Sequence, residues 1–337
     1  TAKIPTTHFF SSEKRMLWFC SFLASAACAN ALVGVQDISI EELISGQKLN
    51  AISLSGKDVL RGPYKVTSKK FAKQPGFDSS DPDVVVWYPE PLESTDSFPF
   101  ISYSHGYSGG GLITYLAYDL ILEHIASFGY VIAVPAACNT ECHDDKTSLP
   151  LDPKTYAHYY YQQLKAIEWA QRQPQSVPAF AHVNFSMGVG VAGHSMGGQA
   201  TLFSSAYNSS SHRIKAAVMH HAYTHTYPPP QVPFLAFTGS ADTTAPPEMT
   251  HQFYNAPHAY PVRGLVNKKG AKHLEPNPLP GEYNPVLAQF TAAWFKLHLE
   301  NVTQQFNIDF EALLKGDGPQ SLCNGGDGEV VECEFAG

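Results

Sequence analysis

Apolar residues in this chain fall in short unbroken runs separated by longer amphipathic stretches, the pattern of buried strands alternating with helices. Val84 to Tyr88, closed by Pro89, and Phe98 to Ser104, ending at His105-Gly106, read as strands. Leu112 to Phe128 repeats its apolar positions at helical spacing, and Gly129 is placed to end that helix. Tyr130 to Val134 is a compact buried strand, 137–153 a polar loop, and roughly 154–171 a second helix opened by Asp152-Pro153. The alternation continues with a strand at 188–193, a helix at 196–207 and strands at 214–219 and 232–237. A short helix at 247–254, a strand at 262–266 and a long helix at 283–299 follow. Residues 32–80 are mixed, with Tyr64-Lys65-Val66 as a candidate edge strand.

Strands alternating with helices predict an α/β fold, a mostly parallel central sheet covered by helices on both faces. Right-handed crossovers bring the C-terminal ends of the strands to one edge, where open sheets bind ligands. The length of 337 residues fits one such domain. We expect that domain at 32–310, with the Gly- and acid-rich residues 311–337 as a C-terminal tail tethered by a disulfide.

The first residues follow a different pattern. Lys14 and Arg15 precede an apolar run from Leu17 through Cys28, and small residues follow up to Ala31. That is the order of a secretory signal peptide, with cleavage after Ala29 or Ala31 and residues 1–15 lying upstream of Met16. The run is short and carries serines, which disfavours a stable membrane span. The expected location is extracellular or the lumen of the secretory pathway.

Secretion changes how the six cysteines are read. Cys20 and Cys28 leave with the signal. Cys138, Cys142, Cys323 and Cys333 remain, most simply as Cys138–Cys142 and Cys323–Cys333 among three connectivities. Free thiols and a structural zinc site compete with that reading, although no third ligand lies near the Cys-x-x-x-Cys pair. Asn208-Ser209-Ser210 and Asn301-Val302-Thr303 match the glycosylation acceptor pattern. Asn184-Phe185-Ser186 matches as well, next to a core strand.

A net charge of -8 and short, scattered basic runs argue against a nucleic-acid partner. Fifteen histidines are present, yet no two stand at zinc-binding spacing on a predicted helix.

The strongest chemical signal is Gly193-His194-Ser195-Met196-Gly197-Gly198, a Gly-x-Ser-x-Gly element between a predicted strand and a predicted helix. A sharp turn there lifts Ser195 above the sheet, and side chains at 193 or 197 would strike neighbouring backbone. The helix that follows points its N–H groups at the site, favouring developing negative charge. A serine nucleophile needs a base and an orienting acid, in the chain order serine, acid, histidine. Asp242 lies just beyond the strand at 232–237 and His273 beyond the strand at 262–266. Asp144 and Asp145 are the nearest alternative acids, and a helix cap is the competing role for Asp242. His194 adjoins the serine but should point away from it. The oxyanion hole needs two backbone donors. Met196 N–H and Tyr107 N–H, the latter in the Gly-rich loop 105–111, are the expected pair, with both side chains also touching substrate.

These residues resemble the dienelactone-hydrolase-like branch of α/β hydrolases, particularly compact cutinases and polyester (PET) hydrolases. The resemblance covers roughly residues 80–300. It is carried by 193–198, Ser104-His105-Gly106-Tyr107, Asp242-Thr243 with Ala245-Pro246, and His273. It implies a serine carboxylic ester hydrolase acting through an acyl-enzyme, with a C-terminal disulfide, no cofactor or metal and no large lid. A monomer acting on a small or polymeric ester is the expectation. Two segments depart from the pattern. Residues 135–150 carry no Trp where those relatives carry an aromatic residue. The run from Met219 to Tyr227 holds three histidines, placed at the pocket or its rim, where a sporadic metal site competes. Chlorophyllase-like and phospholipid-acetylhydrolase-like esterases share the same triad logic. A peptidase and a non-catalytic binding protein are rival classes, separated by hydrolysis of a chromogenic short-chain ester.

Overall fold

The structure is a computed structural model that describes residues 59–77, 83–107, 112–137, 158–277, 284–326 and 329–337. The expected signal segment, Cys138, Cys142, Asp144 and Asp145 lie outside the described residues.

Two strands open the sheet, β1 (Val66–Phe71) and β2 (Val84–Pro89). They are followed by β3 (Phe100–Ser104), α1 (Leu112–Ala126), β4 (Val131–Pro135), α2 (His158–Gln171), β5 (Val189–His194) and α3 (Met196–Tyr207). Next come β6 (Ile214–His220), β7 (Phe234–Gly239), α4 (Pro247–Tyr254), β8 (Arg263–Lys268) and α5 (Pro285–His298). A small hairpin of β9 (Gln304–Gln305) and β10 (Ile308–Asp309), then α6 (Phe310–Lys315) and β11 (Val330–Ala336), complete the order.

Nine strands form one sheet in the order β1-β2-β4-β3-β5-β6-β7-β8-β11. The six strands from β4 to β8 run parallel, while β1, β2 and β11 are antiparallel to their neighbours. This is the mostly parallel α/β sheet that the alternation predicts, in the α/β-hydrolase architecture that the resemblance implies. Strands β3, β4, β5 and β7 are buried along their whole length, which is why they appear as unbroken apolar runs. One core fills the face covered by α2, α3 and α4, and another fills the face covered by α1, α5 and α6. Trp294 and Phe295 on α5 are fully buried in the second. Each such side chain stabilises the fold by about 1.5–3 kcal/mol.

Boundaries shift where proline or polarity decides them. β7 begins at Phe234, after Pro233, which has no N–H for the ladder. The edge strand expected at Tyr64-Lys65-Val66 runs instead over Val66–Phe71, where Ser68, Lys69 and Lys70 leave an edge open to water. Gly129 has φ of 99° and turns the chain from α1 into β4.

The tail is more than a tethered extension. β11 pairs antiparallel with β8 and adds a ninth strand to the sheet. The Cys323–Cys333 disulfide closes ten residues of sequence separation at a Cα–Cα distance of 5.4 Å. Among the described residues no helix is long and apolar enough to cross a membrane.

Candidate active site

The parallel strands β3, β5, β6, β7 and β8 end side by side, and every candidate catalytic residue follows one of them. Ser195 separates β5 from α3 with φ 58° and ψ -121°, a left-handed conformation rare for a non-glycine residue. The neighbouring glycines make that turn sterically possible. A Cβ on Gly193 would lie 2.2 Å from the Gly197 carbonyl oxygen, and one on Gly197 would lie 2.0 Å from that of Ser104.

Buried polar groups hold this elbow. Gln163 on α2 donates to the Ala192 carbonyl at 3.0 Å and to Thr201 Oγ1 at 2.9 Å, and accepts from Ser204 Oγ at 2.7 Å. Thr201 in turn donates to the Gly197 carbonyl. One Gln among three in a helix of mixed polarity gives no sign of this in the sequence.

His273 follows β8, and Asp242 follows β7. Ser195 Oγ–H donates to His273 Nε2 at 2.8 Å, and His273 Nδ1–H donates to Asp242 Oδ2 at 2.9 Å. Asp242 Oδ1 accepts from the backbone N–H groups of Thr244 and Ala245. The aspartate thus organises its own turn and orients the histidine with different oxygens. The Ser195–His273–Asp242 arrangement is that of a serine ester hydrolase, in which the acid fixes the ring's tautomer and the base takes the hydroxyl proton.

Met196 is the first residue of α3, so its N–H has no acceptor one turn back and faces the end of the helix. Tyr107 follows β3 and is half-buried against the first core. The rest of its glycine-rich loop, 108–111, lies outside the described residues. His105 anchors the near end of that loop. Its Nε2 accepts from Ala137 N–H at 2.9 Å, and its Nδ1–H donates to the Gly106 carbonyl at 2.6 Å. Burial pushes His105 down to about 4, so it is neutral.

His194 has a role that its position beside the serine does not reveal. A carbonyl only accepts, so His194 Nε2–H donates to the His273 carbonyl at 2.7 Å. Tyr118 O–H then donates to His194 Nδ1 at 2.8 Å and accepts from Gly106 N–H at 2.8 Å. One buried chain therefore joins the loop after β3 to the backbone of the base. Burial first, then the charges of His273 and His221, hold His194 well below the ordinary histidine value.

The run 219–227 passes from the core toward the nucleophile. Met219, His220, His221 and Ala222 are buried, and Tyr223, His225, Thr226 and Tyr227 are half-buried. Tyr223 N–H donates to the Ser195 carbonyl at 3.0 Å, which places this aromatic residue beside the nucleophile. Within this run the sequence does not single out His221. Its Nδ1 lies 2.9 Å from Asp242 Oδ2 and its Nε2 lies 3.0 Å from Glu275 Oε2. Asp242 Oδ2 thus serves two histidines. Burial raises the Asp242 carboxyl, but hydrogen bonds from His221 and His273 outweigh that and hold it well below the usual carboxylate range.

Among the described residues, His221, Asp242 and His273 form the one group with ligand-type atoms within 4.8 Å of each other. Those same atoms make directed hydrogen bonds at 2.9 Å, so the group is read as a hydrogen-bonded triad and its extension.

Of the glycosylation candidates, Asn301 is exposed at the end of α5. Asn208 is half-buried, with its carboxamide engaged by Tyr160 and Ser211.

The family described as "PETase: PET hydrolase-like" matches residues 53–312.

Proposed function

The chain belongs to the PET hydrolase-like family, and from that premise we propose that it is a secreted hydrolase of carboxylic esters, small or polymeric, with an acyl-enzyme on Ser195. The observation that carries the reading is the continuous path Ser195 Oγ to His273 Nε2 to Asp242 Oδ2, with steps of 2.8 and 2.9 Å.

Ser195 Oγ attacks the ester carbonyl carbon while its proton passes to His273 Nε2. The carbonyl oxygen becomes an oxyanion facing the N–H groups of Met196 and Tyr107. Loss of one such donor typically lowers turnover by about 10²–10³-fold. The tetrahedral intermediate collapses, and the alcohol leaves with the proton from His273. Water then adds to the acyl carbon, giving its proton to the same ring, and the acid departs as Ser195 regains its hydrogen.

Met196, next to Ser195 in the chain, belongs to one core cluster, Tyr107 and Tyr223 are half-buried against that cluster, and Tyr223 N–H reaches the Ser195 carbonyl. Their side chains offer apolar and aromatic surface to the acyl or alcohol part of the substrate. That surface favours an ester with aromatic or medium-length apolar groups.

The test is covalent. A fluorescent alkyl phosphonate should label the wild-type chain once, and Ser195→Ala should remain folded and unlabelled. A labelled Ser195→Ala protein would remove Ser195 as nucleophile. A polyester film, a triglyceride and a chain-length series of aryl esters then order the substrates.

A further inference from the structure

The proposed chemistry uses one histidine on Asp242, yet the structure places two there. His221 is fully buried at the end of β6, with φ of 48°. Such a conformation is strained for a histidine, and strained residues concentrate where a side chain has to be aimed. Its backbone N–H is held by the Phe237 carbonyl at 2.8 Å. The turn sends the ring between the loops that follow β7 and β8, where both of its nitrogens meet carboxylates.

Those contacts fix the proton count. An ionised carboxylate only accepts hydrogen bonds, and a neutral imidazole has a single N–H. Two carboxylates on two ring nitrogens therefore require both nitrogens to carry hydrogen, or one carboxyl to be protonated. Glu275 is kept ionised by further donors. Its Oε1 accepts from Lys268 Nζ at 2.8 Å and from Asn284 Nδ2 at 2.9 Å. Asp242 is kept ionised by two backbone N–H groups and His273. The ring is the group that takes the proton.

We propose that His221 is a positioning residue for the catalytic acid: a standing imidazolium that locks Asp242 from behind and sets the acid limit of the enzyme's working range. The proposal rests on the Ser195 esterase reading and extends it. His221 and Lys268 carry two positive charges, and Asp242 and Glu275 carry two negative ones. The quartet is neutral before His273 accepts any proton. Without the imidazolium, one net negative charge would face His273 and favour its protonated form, which cannot act as a base.

Other elements leave this balance intact. His194, from β5, faces the ring at a centroid distance of 6.4 Å and is neutral. His273, from the loop after β8, lies at 6.2 Å, and His220 precedes it on β6 and is neutral. Burial disfavours charge on His221, but the hydrogen bonds to Asp242 and Glu275 outweigh that and raise it to about 9.

The experiment has two arms. In the full-length wild-type chain labelled with ¹⁵N-histidine, His221, assigned by the signal lost in His221→Gln, should show two protonated ring nitrogens from pH 6 to 8. A neutral tautomer at pH 7 would overturn the proposal. The second arm is the pH dependence of kcat/KM on a short-chain aryl ester. His221→Gln should move the acid limb up by about one pH unit and lower kcat with little change in KM. Glu275→Gln should not move the limb upward. The double variant, with one charge of each sign removed, should bring the limb back to the wild-type position. A role in packing alone would make the two defects add, and that result, or an unmoved limb in His221→Gln, would sink the idea. If His221→Gln does not fold, the wild-type spectrum, assigned through Glu275→Gln, still decides the charge. Absence of any Ser195-dependent ester turnover would remove the esterase reading and leave the spectroscopic arm to decide the charge by itself.

Discussion

His220 and His221 are consecutive residues at the end of one strand, equally buried, and held in opposite states. His220 turns toward α5, where its Nε2–H donates to Thr291 Oγ1 at 2.9 Å and where Tyr103 and Phe237 flank the ring. Its Nδ1 has no hydrogen-bond partner among the described residues. Burial, with the charge of His221, pushes it down to about 3. His221 turns the other way, into two carboxylates, and rises to about 9. The same side chain, one residue apart, is a neutral core residue or a fixed cation according to what receives its N–H. The strand ends at His220, and the turn at His221, with φ of 48°, aims the second ring away from the first and into surroundings of opposite electrostatics.

The largest way to break this contrast is to remove the carboxylate that defines the charged side. Asp242→Asn should lower kcat by about 10⁴-fold, because an amide no longer selects the productive tautomer of His273. Near-normal kcat in that variant would point to another acid.

Acidification probes the neutral side. His105, His124, His194 and His220 are all held below the ordinary value of 6.5 by burial. A histidine lowered in the fold takes up a proton on unfolding, so stability falls as pH drops from about 6.5 through its folded value. His221 has the reverse sign. Its contribution is complete below 6.5 and is lost as pH rises through about 9. Asp242 and Glu275, both lowered, contribute above their unfolded values and lose that contribution only in stronger acid. Tm should therefore peak near neutrality and fall by on the order of 10 °C between pH 6.5 and 4.5. A flat melting profile over that range would contradict the assignment of neutral histidines.

The smallest effect is expected at the other member of the pair. His220→Phe should cost about 1 kcal/mol, the loss of one neutral hydrogen bond. Thr291 keeps its own bond to the Leu287 carbonyl. The acid limb of kcat/KM should stay where it is, in contrast to His221→Gln.

Much of this site is legible in the chain because its constraints are local. Gly193 and Gly197 are demanded by backbone approaching within 2.2 Å of where a side chain would begin, so the elbow is written in five consecutive residues. Asp242 and His273 each stand just past a strand of unmistakable pattern. His221 is different. The run Met219 to Tyr227 says that histidines are present but not which of them faces Asp242 or Glu275, which stand 21 and 54 residues further along. Only the lateral order β6-β7-β8 brings those three strand ends together. His194 is obscured in the same way, since its partner is a backbone carbonyl 79 residues away. β11 escapes the pattern reading because Glu332 and Glu334 interrupt its apolar residues, as suits a strand at a sheet edge.

That last strand has a consequence of its own. β8 delivers Lys268 to the buried quartet, and β11 occupies its outer side, with Lys269 N–H bonded to the Glu329 carbonyl at 2.9 Å and Lys269 Nζ to the Glu329 carboxylate at 2.7 Å. Removing the residues after 328 would leave β8 as a naked border, its amides and carbonyls open to any strand of another molecule. The tail covers that border, and its loss should be felt first as clumping at high protein concentration and only secondarily as a change in catalysis.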